Sequence, residues 1–178
     1  MSELNRILFW PYVRNSIQRY FGALLDEEFK KTWFSTTAKH RFSDSLDYYV
    51  FGHLLFLNPD IVDNDGNEAI GIVLYNKEEA VKISKYINFY IDTFECNMPD
   101  SYYINHPRWN EVIDGAREIV EMMQANNIKY NLAHDIEEWD KFNDIYPFSL
   151  DENEISKTRL EIEDRHFAEC RKRILDLK

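Results

Sequence analysis

The sequence has few of the residues that build special backbone or covalent scaffolds. Its 178 residues include five glycines, five prolines and two cysteines. Such low Gly and Pro content excludes collagen-like and low-complexity chains. Two cysteines, Cys96 and Cys170, cannot form the multi-bridge framework of a small secreted domain, so ordinary reduced thiols are expected. No apolar run approaches the ~20 residues of a bilayer span. The apolar patch Ile7–Trp10 is shorter than a signal-peptide core of ~7–15 residues, and no small-residue cleavage site follows it. These absences predict a cytoplasmic protein of one domain, residues 1–178, with no membrane partner.

Positive charge is the other shortage. The chain carries 21 Lys+Arg against 32 Asp+Glu, a net charge of −11. Nucleic-acid affinity comes largely from cationic neutralisation of phosphates, so a nucleic-acid partner is excluded. The deficit is localised. Residues 1–42 carry a net +3, residues 43–150 a net −13 and residues 151–178 a net −1. A field of one sign concentrated in this way steers a cationic partner. Plain solubility is the competing explanation.

Catalytic and metal motifs are missing as well. There is no G-x-x-x-x-G-K phosphate loop, G-x-G-x-x-G, H-E-x-x-H or C-x-x-C. The D-N-D-G run at 63–66 invites a calcium reading. Placing Gly66 sixth in an EF-hand loop puts Ile61 first and Ile72 twelfth, and neither can ligate. The five histidines form no evident acid–base pair; His106, before Pro107, reads as a capping or packing residue. No catalytic residue, metal ligand or cofactor is therefore assigned, and a non-enzyme is expected.

What is present is helical periodicity, with hydrophobic residues at 44% and aromatics at 15%. Pro11 fits the first turn of a helix whose apolar face is Val13, Ile17, Tyr20, Phe21 and Leu24. LLDEEFKKTWF continues as a short helix or turn. Ser43 opens a second amphipathic segment, which Asn58-Pro59 closes. IGIVLYN at 70–76 reads equally as a buried strand or a short helical turn. Asn76 caps a helix to about Glu95, with Ala80, Ile83, Ile87, Tyr90, Ile91 and Phe94 as its stripe. Pro107 opens a further helix burying Trp109, Val112, Ile113, Ala116, Ile119, Val120 and Met123, with Asn126 and Asn127 at its exit. A short acidic helix spans 135–145. A long surface helix with ion pairs at i,i+4 completes the chain. The expected fold is mainly α, a bundle of about five to seven helices with room for one short strand pair.

Three stretches carry a resemblance. Leu46, Asp47 and Tyr48, then Gly71, Val73, Leu74 and Glu79, then Pro107, Trp109, Ala116 and Arg117 are patterned as in a family of short acidic bacterial proteins. That family resembles the immunity proteins of contact-dependent inhibition and polymorphic toxin systems. The resemblance covers about 43–124. It implies a cytosolic inhibitor that binds one cognate toxin domain, and it carries over no catalytic residue.

Charge and resemblance together predict a basic, nuclease-type toxin domain as partner, because a nuclease must itself hold phosphate. Rings anchor such contacts and carboxylates steer them. The candidate partner-binding residues are the loop acids Asp60, Asp63, Asp65 and Glu68, and the cluster Glu137, Glu138, Trp139, Asp140 and Asp144. Two other classes compete. A metal-dependent hydrolase would show convergent carboxylates in a pocket, and a helical scaffold subunit would show an exposed apolar patch.

Overall fold

The computed structural model describes residues 7–33, 69–95, 98–145 and 157–176. Among them are seven helices: α1 (Pro11–Ala23), α2 (Glu27–Trp33), α3 (Lys77–Thr93), α4 (Asp100–Ile104), α5 (Trp109–Lys129), α6 (Leu132–Ile145) and α7 (Lys157–Asp176). About 80% of the described residues are helical and none lies in a strand, so the mainly α expectation holds. The segment opened by Ser43 and the loop acids Asp60, Asp63, Asp65 and Glu68 fall outside the described residues.

The helices form where local chemistry favours them. Pro11 occupies the first position of α1, where its missing N–H costs nothing. Asn76 caps α3, its side chain accepting the Glu79 N–H at 2.9 Å. Ile17, Phe21, Leu24, Ile83, Ile87, Tyr90, Val112, Ala116, Ile119 and Met123 interlock in one core. α1 packs on α5 and α6, and α3 packs on α5. Burial at 3- and 4-residue spacing is what the periodicity predicts.

Several boundaries differ from expectation. α3 ends at Thr93, and Ile91 lies on its exposed side. Pro107 sits in the turn before α5, which begins at Trp109. Asn126 and Asn127 remain inside α5; the left-handed residue is Asn131, with φ 57°. α6 begins at Leu132, three residues before its expected start. Tyr103, in the short helix α4, is fully buried. Its hydroxyl donates to the Glu95 carbonyl at 2.8 Å.

The run at 70–75 is neither helix nor paired strand. It is a tight turn closed by a single bridge between Ile70 and Leu74. Gly71 adopts φ 83°, and a Cβ there would meet the Arg171 backbone of α7 at 2.7 Å. Only glycine suits both the backbone angle and this close approach. The turn is therefore a crossing point, with α7 on one side and the N-terminal segment on the other.

Candidate partner-binding face

The N-terminal segment is fixed through four consecutive backbone N–H groups. Ile7 and Leu8 donate to the two carboxylate oxygens of Asp135, at 2.8 and 3.1 Å. Phe9 donates to the Gly71 carbonyl at 3.0 Å and Trp10 to the Ile72 carbonyl at 2.8 Å. This docking buries Leu8 and Phe9 while leaving Trp10 and Tyr12 each 46% exposed. The Tyr12 hydroxyl reaches α6 and donates to Asp140, 3.0 Å from both carboxylate oxygens. That acceptor raises the Tyr12 pKa above the usual phenol value.

α6 carries the second expected cluster, and the structure sorts its members. Trp139 is half-buried, packed edge-on to Phe9 at 5.9 Å and tilted on Phe142 at 5.7 Å. It supports the face from beneath. Glu137 and Glu138 share Lys141, whose Nζ lies 2.9 and 2.8 Å from their oxygens. Lys141 is pushed up to about 12 by these two carboxylates, and Glu137 is held below its ordinary value by the same lysine. Asp140 and Asp144 are exposed. Two of these four α6 carboxylates thus share one lysine, and a third, Asp140, takes the hydroxyl of the exposed Tyr12 ring from the start of α1. Trp10 and Tyr12 were missed because they flank a helix start, where helical periodicity gives no face assignment.

A buried ionic cluster lies behind this face. Arg14 and Glu79 are fully buried and paired at 2.6 Å. All five Arg14 N–H groups find acceptors: Asn127, the Val73 and Met123 carbonyls, and both Glu79 oxygens. The Glu79 oxygens also accept the Tyr75 N–H at 2.8 Å and the Asn126 amide at 2.9 Å. Arg14 stacks on the Tyr75 ring at 4.3 Å, and the Tyr75 hydroxyl donates to Asp135 at 3.2 Å. With every donor and acceptor engaged, the pair acts as a joint between α1, α3 and α5. The sequence does carry its signal. Arg14 falls on the stripe of Ile17 and Phe21, and Glu79 on that of Ile83 and Ile87, so each charge sits at a core position.

A shallow groove of about 270 Å³ lies between α3 and α5, floored by Tyr86, Phe89 and Ile119. Its carboxylates are paired: Glu111 takes two bonds from Arg108, at 2.7 and 2.8 Å, and Glu118 pairs with Lys82 at 2.8 Å. Among the described residues, no group of three His, Cys, Asp or Glu is placed to hold a metal. No described helix is long and apolar enough to cross a membrane. Cys170 is buried. Of the two expected roles His106 takes the packing one, 4.7 Å from the Phe94 ring, and its Nδ1 accepts the Arg108 N–H at 3.2 Å in the turn before α5.

Residues 8–130 match the family described as Domain of unknown function (DUF7945). The chain belongs to this family. No curated protein or solved structure matches it. The DUF7945 match contains both partners of the buried pair, the turn at 70–75, Trp10 and Tyr12. It ends before α6, so the carboxylates of the face stand on a helix beyond the matched DUF7945 residues.

Proposed function

We propose that the protein neutralises a cognate basic bacterial toxin domain by binding it, without catalysis, through the face formed by Trp10, Tyr12 and α6. The observation that carries this reading is the hydrogen bond of the exposed Tyr12 to Asp140 on α6, the helix that also bears Glu137, Glu138 and Asp144, with the exposed Trp10 ring two residues before Tyr12. Exposed Trp and Tyr supply anchoring area at little entropic cost, and surrounding carboxylates attract a cationic surface. A net charge of −11 extends that attraction beyond the contact. Placement of the acids on a helix beyond the family match supports a partner-specific role for that helix. The resemblance to immunity proteins gives the partner its class: a nuclease-type domain, basic because its substrate is a polyanion.

The test starts from the neighbouring reading frame, which is expected to encode a large secreted protein with a basic C-terminal toxin domain, and measures direct binding of that domain. Tight association and loss of toxicity on mixing are expected. A domain that does not bind, or stays toxic while bound, overturns the reading.

A further inference from the structure

We propose that Asp135 is the positioning residue of this face, clamping the Ile7–Trp10 segment onto α6 and so fixing the exposed rings against the outward carboxylates. The recognition half of this inference rests on the function proposed above; the clamp itself does not. Asp135 is 1% exposed and lies in the first turn of α6. One oxygen accepts the Ile7 N–H; the other accepts the Leu8 N–H and the Tyr75 hydroxyl. A single side chain therefore joins three parts of the molecule: the acid-bearing helix, the ring-bearing segment and the turn that leads into α3. Asp140, on the same helix, receives Tyr12 from the same segment. Asp135 holds the segment from the buried side, and Asp140 meets it at the surface.

The geometry also separates two properties of binding. The outward carboxylates govern long-range attraction and hence the association rate. Trp10 and Tyr12 act after encounter, so their correct placement governs dissociation. A clamp on the rings should change dissociation and leave association alone, whereas general loss of structure lowers the fraction of protein able to bind.

Amide hydrogen exchange and binding kinetics test this together. In Asp135→Asn, exchange at Ile7 and Leu8 should rise roughly tenfold or more, while the core amides of α5 stay protected. Dissociation of the neighbour-encoded toxin domain should quicken by about tenfold, with association within about twofold of the parent. Asp135→Glu, which keeps the charge but moves the carboxylate by one methylene, should give the same pattern and serves if the Asn variant fails to fold. Unchanged exchange at Ile7 and Leu8 overturns the clamp. Released amides with unchanged dissociation overturn its role in recognition. If the parent protein does not bind at all, the proposed function falls with that role, and the exchange pattern still reports on the clamp.

Discussion

Glu79 and Arg14 set the strongest expectation at the residue scale. Removing one member strands the other as a buried charge, at a cost of about 3–5 kcal/mol. Glu79→Ala should therefore lower stability by that amount, read from the urea midpoint. Joint replacement of Arg14 and Glu79 by Met and Leu should cost markedly less, because no charge is then left unpaired. Asp135 predicts a pH effect. Burial raises its pKa above the ordinary carboxylate value, although the Ile7 and Leu8 amides pull the other way. A folded pKa above the unfolded one means that the native state binds more protons. Its contribution to stability is present at low pH and is lost as pH rises through the folded value. The stability of the parent relative to Asp135→Asn should therefore increase as pH falls from neutral through the carboxylate range, measured by denaturation at each pH. A gap that narrows on acidification would contradict this.

Two glycines carry the packing argument at the element scale. Gly71 holds φ 83° against the α7 backbone at Arg171. Gly71→Ala should cost more than 1 kcal/mol and loosen α7, measured as faster exchange around Cys170. Gly115 lies within α5, where alanine normally gains about 1 kcal/mol. A Cβ there meets the Tyr86 ring at 2.8 Å, and that ring packs edge-on to Phe21 at 5.3 Å. Gly115→Ala should accordingly forfeit the helical gain and destabilise, as a thermal melt would report. The elements themselves were largely legible. The apolar stripes of α1, α3 and α5 name most of the core, and Asn76 names a cap. The turn at 70–75 was not legible as such. An apolar run suits strand and helix equally, and the choice was made by partners distant in sequence, the Phe9 and Trp10 N–H groups and the α7 backbone. Asn126 and Asn127 misled for a related reason. Asn tolerates a helix exit, but here both side chains serve the buried cluster while the helix continues to Lys129.

Charge and aromatic placement act together over the whole molecule. Sequence arithmetic located the acid excess in the middle of the chain and named the acids of α6, but it could not place Trp10 and Tyr12 beside them. That meeting is made in three dimensions, through Asp135 and the turn. Trp139, named with those acids, is half-buried and packs its ring on Phe9 and Phe142. The central claim is that the α6 carboxylates steer a basic partner and the rings hold it. It is tested most directly by the association rate of the neighbour-encoded toxin domain, measured at about 0.01 M and about 0.15 M salt, where the screening length falls from about 30 to about 8 Å. The account predicts a steep fall in that rate for the parent chain. It predicts a slower, flatter rate when Glu137, Glu138, Asp140 and Asp144 are replaced by their amides. An association rate indifferent both to salt and to these four substitutions would contradict it.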